Sequence, residues 1–261
     1  MRVALSIAGS DSGAGAGIQA DIKTFAAHDV YGLTAITAIT AQNTLGVSSY
    51  LSLPADLVTA QIEAVVSDFG VHAAKTGMLP TAAIVEAVAA AVTDLEIPLL
   101  VVDPVMIATS GDRLLDDEAL AAMKSELFSR ALVVTPNVPE AEALTGIEIR
   151  SDTNRREAAR IIASFGARNV IIKGGHLPTS NISDLLYDGR DFHDFHNERV
   201  QGGSTHGTGC SFAAAITSHL ALGQSLPDAI RMAQRYIAGA IRHARGLGHG
   251  QGPIDHFWAL Y

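Results

Sequence analysis

The chain has 261 residues, 48% of them hydrophobic, 17% charged and 5% aromatic; this fits a compact globular protein with a sizeable core and excludes a disordered or fibrous one. Its formal charge of −9 makes nucleic acid a poor partner, because displacing counterions from phosphates takes a basic stripe. One cysteine excludes an intrachain disulfide, and no apolar run approaches the roughly 20 residues of a membrane span, so a soluble cytoplasmic protein is expected.

The run Val3–Ala8 stops at a glycine cluster, which predicts a buried strand and is too short for a signal peptide. Ile18, Ile22, Phe25 and Ala26 recur at helical spacing between Ala16 and His28. Leu33–Ala41, β-branched and apolar, predicts the next strand. Pro54 and Asp56 open a helix whose Leu57, Ile62, Val65 and Val66 share a side; Pro80 opens another through Ile84, Val85, Val88 and Val92. Leu99–Val102, Ala131–Val134 and Asn169–Ile172 are expected strands, and Ser151-Asp152 caps a helix running to Phe165. Ile182–Tyr187 and Arg190–His196 alternate across Asp188-Gly189 as a hairpin. Two long helices, roughly Gly209–Ala221 and Leu226–Arg245, close the chain. Strands that are apolar without alternation, separated by helices, indicate a mostly parallel α/β sheet covered on both faces, in one domain spanning 1–261.

In open α/β sheets ligands bind beyond the carboxyl ends of the strands, and the unusual residues gather there. The loop Gly9–Gly17 matches neither a phosphate loop nor a dinucleotide fingerprint. A flexible turn explains it on its own; its functional reading is a backbone that closes over a small substrate. Gly202–Gly209 precedes a helix, so its amides and the helix N-terminus suit an anion. Cys210 follows on the first turn, where a thiolate is stabilised and the thiol pKa is expected to fall, fitting it to accept a proton from a substrate hydroxyl. A lone cysteine is otherwise an inert buried residue.

Asp103 and Glu140 sit after neighbouring strands and suit a magnesium ion held through water, although an Asp-Pro turn and a first-turn acid are also ordinary features. Lys173 ends another strand and can reach phosphates or simply be solvated. The Gln42 amide offers a donor and an acceptor, which matches an aminopyrimidine edge or caps a loop. Asp191–His196 looks metal-binding, but its period of three fits no common zinc spacing. Gly246–Pro253 follows a helix and reads as a loop before the C-terminal segment.

Taken together, these segments resemble the hydroxymethylpyrimidine/phosphomethylpyrimidine kinases of thiamine biosynthesis, in the ribokinase-like group. The resemblance covers essentially the whole chain. It rests on Ala8–Asp21, Ile39–Asn43, Lys75–Leu79, Asp103–Met106, Ser110–Asp112, Thr135–Glu140, Lys173–His176, Thr205–Cys210 and Gly248–Pro253, in that order. The stretch Leu177–Asn181 is shorter than the family pattern. The resemblance implies a three-layer α/β/α sandwich and two successive ATP-dependent phosphorylations, first of the pyrimidine alcohol and then of its monophosphate.

By position, Cys210 would be the base, and Gly207, Thr208 and Gly209 would form the anion hole. Gln42, Asp21, Gly9, Met78 and Val105 would meet the pyrimidine. Lys173, Thr208 and Asn137 would meet ATP, and Asp103 and Glu140 would hold Mg2+, with a monovalent cation as a further candidate. Ser110-Gly-Asp112 would belong to a flap that excludes water. A homodimer is expected, and a chain ending at Tyr261 would lack the second thiamine-pathway domain of some relatives.

The nearest rival is a pyridoxal or pyridoxine kinase of the same fold. Some of those carry a second cysteine in the flap, where this chain has Ile107-Ala108-Thr109, and that difference favours the pyrimidine. A non-catalytic pyrimidine or nucleotide sensor is a third reading; the presence of Cys210, Asp103 and Glu140 argues against it.

Overall fold

Runs of Val, Ile, Leu and Ala without polar alternation are satisfied only where both faces of a sheet are covered. The computed structural model, which describes residues 1–107, 114–176, 181–198, 200 and 205–260, arranges them so. The strands are β1 (Arg2–Asp11), β2 (Val30–Asn43), β3 (Gly46–Ser52), β4 (Ala73–Thr76), β5 (Leu100–Val102), β6 (Val133–Val134), β7 (Val170–Ile172), β8 (Asn181–Tyr187) and β9 (Phe192–Glu198). They form a nine-stranded sheet in the order β3-β2-β1-β4-β5-β6-β7-β8-β9. From β2 to β7 neighbours run parallel; β3 at one edge and the β8–β9 hairpin at the other are antiparallel.

The helices are α1 (Gly17–Ala27), α2 (Ala55–Phe69), α3 (Ala82–Asp94), α4 (Asp117–Ala122), α5 (Val138–Thr145), α6 (Asp152–Ser164), α7 (Thr208–Ala221) and α8 (Leu226–Arg242). Helices α2 to α6 cover one face of the sheet with a core built on Leu5, Ile7, Ala74, Val102, Val134 and Ile172. The opposite face meets α1, α7 and α8 through Ala4, Ala73, Val101, Val133 and Ile171. The result is the three-layer sandwich expected. Among the described residues no helix is long and apolar enough to cross a membrane.

Helix starts follow the local chemistry. Thr81, Asp116, Ser151 and Ser225 each accept a backbone N–H from the first turn they cap. Asn137 and Glu140 form a reciprocal capping box at α5. The helix expected from Pro80 therefore begins two residues later, behind Thr81.

Other boundaries moved for tertiary reasons. β2 extends past its apolar run because it pairs on both sides, with β1 and β3. The second hairpin strand starts at Phe192, since the Asp188 carboxylate accepts the N–H groups of Arg190 and Asp191 and holds them in the turn. The last helix stops at Arg242. β3, largely exposed, and the four-residue β4 have no apolar run of their own and were not expected as strands.

Candidate active site

The parallel strands end on one side of the sheet, and their carboxyl ends meet the start of α7 around a cavity of about 670 Å³, a size suited to small molecules. Two glycine-rich segments meet above it. Asp11, at the end of β1, turns its buried carboxylate back on the loop that follows. Oδ1 accepts the N–H of Gly13 at 2.8 Å; Oδ2 accepts those of Gly15 at 3.0 Å and Ala16 at 2.8 Å. His206 Nε2 lies 3.0 Å from the same Oδ2, so that nitrogen carries the proton. Burial opposes charge on Asp11, but these donors outweigh it and hold the carboxyl below its usual range.

The loop before α7 is thereby pinned to the loop after β1. Gly207 adopts φ +79°, and a Cβ there would overlap the Gly15 carbonyl, so only glycine fits. Thr208 and Gly209 begin α7 with their backbones beside the cavity.

A charged group lies at the ends of β5, β6 and β7. Lys173 Nζ is 2.9 Å from Asp103 Oδ1, which also accepts from Thr135 Oγ1 at 3.1 Å. Burial works against charge on Lys173, yet Asp103 and Glu140 hold it cationic. Glu140, buried at the start of α5, accepts the Asn137 N–H at 2.8 Å and donates its own N–H to Asn137 Oδ1 at 2.8 Å. Burial pushes the Glu140 carboxyl up to about 7; Lys173 works against this and Asp103 adds to it. Two carboxylates that border one cavity and raise one another's cost of ionisation are relieved by a divalent cation. A pair of oxygen donors, completed by water and phosphate, fits magnesium better than an all-protein cage would. Among the described residues no cluster of three ligating side chains occurs.

Cys210 has part of its surface open to the cavity and receives the Gly17 N–H at its sulfur. The expected fall in its pKa is corrected. Burial pushes the thiol up to about 11, with Lys75 pulling it down and Asp21 and Asp103 pushing further up. Behind it, Lys75 Nζ is 2.8 Å from Asp21 Oδ2, both side chains fully buried. Despite burial, Asp21 and its neighbours keep Lys75 cationic.

One end of the cavity is small and partly apolar. Met78, Ala38, Leu114 and Val105 form a patch of their own, and Met78 is held by its carbonyl, which accepts from Thr37 Oγ1 at 2.6 Å. Gly9 lies against Met78, and Gln42 reaches the same end with its Oε1 3.2 Å from Thr40 Oγ1. At the other end Phe212, Ile237, Ala238 and Ile241 give an apolar wall. Beside it, the buried Asp184 accepts from Gly174 N–H at 2.8 Å and Gln234 Nε2 at 2.7 Å.

The cavity thus brings together Gly9, Gln42, Met78, Asp103, Val105, Asn137, Glu140, Lys173, Gly207, Thr208, Gly209 and Cys210. Asp21 is a correction: it does not line the cavity but lies behind it, paired with Lys75. The expected flap Ser110–Asp112, with Ala108-Thr109, lies outside the described residues, as do 202–204 of the anion segment and 177–180. Gly246–Pro253 is a loop as expected, packed on Thr44 and bridged at Pro253 to His206. Asp11, His206, Asp184 and Lys75 were missed. Only the short spacing from Asp11 to the glycines it holds was visible in advance.

The chain matches the family described as phosphomethylpyrimidine kinase over residues 11–255. It is 49% identical over 255 residues to a hydroxymethylpyrimidine/phosphomethylpyrimidine kinase of Bacillus subtilis, covering 97% of this chain and 94% of that one. It is 50% identical to the thiamine biosynthesis bifunctional protein ThiED of Geobacter sulfurreducens over 98% of this chain, and spans about half (52%) of that longer protein. The crystal structure of an ADP complex of Bacillus subtilis pyridoxal kinase superposes with a TM-score of 0.91 at 38% identity, covering 100% of this chain and 99% of that one. With sequence, fold and strand-end chemistry in agreement, the chain belongs to the phosphomethylpyrimidine kinase family.

Proposed function

We propose that the protein transfers the γ-phosphoryl group of ATP to the alcohol of hydroxymethylpyrimidine, and then a second one to the monophosphate, supplying the pyrimidine half of thiamine. The observation that carries this reading is the placement of Cys210, on the first turn of α7, in one cavity with the Asp103–Lys173 pair.

The pyrimidine lies between Met78, Val105 and Gly9, with the Gln42 amide against its polar edge. Its hydroxyl faces Cys210. As the new O–P bond forms, the hydroxyl proton passes to the sulfur as thiolate, and the bond to the departing ADP breaks. The segment Gly207, Thr208 and Gly209 at the start of α7 borders the place where charge builds on the transferred group, with the Thr208 N–H turned back to the Thr205 carbonyl, and Lys173 balances the phosphates. Asn137 and Thr208 flank the nucleotide. Asp103 and Glu140 would hold magnesium, which neutralises phosphate charge when bound. A monovalent cation is a second candidate ion.

The two transfers place different demands on Cys210. The first nucleophile is an alcohol that must lose a proton; the second is a phosphate oxygen, largely ionised already at neutral pH. Cys210→Ala should therefore cost about 10²–10⁴-fold in the first transfer, less in the second, and leave ATP binding intact. ADP release measured separately on the alcohol and on its monophosphate tests this; an unchanged first transfer removes Cys210 from the base role.

Pyridoxal kinase remains the second reading, because a structure of that activity superposes so closely. The higher identity to pyrimidine kinases, 49% against 38%, favours the pyrimidine. A large kcat/KM preference for pyridoxal would reverse the assignment.

Residues 1–261 are read as one ribokinase-like kinase domain, since one sheet runs through the chain. It works in the cytoplasm as a homodimer, a reading supported by the edge strand β3 and by exposed Ile39, Tyr50 and Leu51. Sedimentation tests the dimer.

A further inference from the structure

β4 carries a lysine where its neighbours are Ala73, Ala74 and Thr76, all buried. By strand alternation Lys75 shares the face of Ala73, which α1 and α7 cover. In register it lies between Ser6 of β1 and Val101 of β5, below the level of Gly77 and Asp103. Its Nζ meets Asp21 Oδ2 from α1 at 2.8 Å, and the same oxygen accepts from Ser6 Oγ at 2.6 Å. Asp21 Oδ1 is fully buried with no partner. A Cβ on Gly77, which lines the cavity, would stand 3.4 Å from Lys75 Nζ, so the ammonium lies immediately behind the cavity wall.

A buried ion pair with an unsatisfied oxygen is a poor device for stability, since two apolar side chains of the same volume usually serve as well or better. Its place is more informative. α7 packs on β4, and its Cys210 lines the same cavity as Gly77. The charged groups around the sulfur are Lys75 from β4, Asp21 from α1, Asp103 after β5 and Lys173 after β7. Both carboxylates favour the neutral thiol. Of the two cations, Lys173 is paired with Asp103 and lines the cavity itself.

We propose that Lys75 is the positioning cation of Cys210: held by Asp21 and Ser6 behind the cavity wall, it favours the thiolate without touching substrate. This rests on the reading of Cys210 as the base of the first transfer. In that step the substrate O–H bond breaks and its proton joins the thiolate. The oxygen electron pair forms the bond to phosphorus, and the electrons of the broken P–O bond leave on ADP.

With one cysteine in the chain, alkylation by iodoacetamide reads Cys210 alone. The double variant Lys75→Met/Asp21→Asn removes both charges and leaves neither uncompensated. Its alkylation rate at a pH below the thiol pKa should fall about tenfold for each unit by which the pKa rises. The pH profile of the first transfer should move to higher pH, with KM for ATP near wild type. An unchanged alkylation rate in the folded double variant overturns the proposal. Should that variant not fold, Asp21→Asn keeps Lys75 and removes an opposing carboxylate, so alkylation should accelerate; an unchanged or slower rate there overturns it equally. Alkylation needs no turnover. A Cys210→Ala enzyme that still phosphorylates the alcohol would therefore refute the base reading, while the rates decide separately whether Lys75 governs the thiol.

Discussion

Replacing Asp11 by asparagine tests how the two glycine-rich loops are held together. All four partners of the carboxylate are donors: Gly13 on Oδ1, and Gly15, Ala16 and His206 on Oδ2. An asparagine can keep its carbonyl toward the three, but its NH2 then faces the Gly13 N–H. That loses the Gly13 bond, at about 0.5–1.5 kcal/mol, since Gly13 is exposed and its N–H can turn to water. The other three bonds lose their charge assistance, which is roughly half their strength. Allowing for relaxation of the loop, the expected loss is about 3 kcal/mol, on the order of a hundredfold in the folded-to-unfolded ratio.

The sign with pH follows from the lowered carboxyl. Its contribution is complete above the unfolded value near 3.8 and disappears as pH falls through the lower folded value, so at neutral pH the full difference is measured. Urea unfolding followed by the single tryptophan, Trp258, reports stability. KM for the pyrimidine should rise with it, because the loop after β1 borders that end of the cavity. A variant within about 1 kcal/mol of wild type and with unchanged KM would show that Asp11 does not hold the loops together.

Lys173→Met should lower kcat by about a hundredfold, because Asp103 and Glu140 are left without their cation; ADP release at wild-type rate would refute its phosphate role. Gly207→Ala should cost at least about 1–2 kcal/mol of backbone strain and weaken nucleotide binding, since a Cβ overlaps the Gly15 carbonyl; thermal melting with and without ATP measures both. His219 is buried beside His28 with neither ring nitrogen partnered, and burial pushes it down to about 4. Its folded pKa lies below the unfolded 6.5, so stability is complete above pH 6.5 and falls as pH drops toward 4. His219→Leu should flatten that fall in urea melts at stepped pH; a parallel curve would show that other groups cause it.

Much of the architecture was legible because apolar strands and capped helices announce themselves locally: Leu99–Val102 became β5 at Leu100, and Ser151 caps α6 as expected. The strand-end rule then placed Asp103, Glu140, Lys173 and Cys210 around one cavity. Lys75 could not be read, because a lysine in a short segment looks solvated until Asp21, 54 residues away, is beside it. The sign of the Cys210 pKa was misread for a reason of magnitude. A helix end is worth about 0.3–1 kcal/mol, less than one pKa unit, whereas burial can shift a group by several. Asp11 looked like part of a turn, and its carboxylate is that in part; its bond to His206 spans 195 positions.

That separation has a consequence for how the protein comes into being. Asp11 leaves the ribosome well before its partner, which follows it only 195 positions later. The bridge from His206 to Pro253 ties the Gly246–Pro253 loop into the same closure. Contacts so distant are slow to form, because the intervening chain must be ordered first. Nascent fragments can thus carry much of the sheet while lacking a finished pocket, and the capacity to capture ligand is acquired only once His206 and Pro253 have emerged, almost all at once.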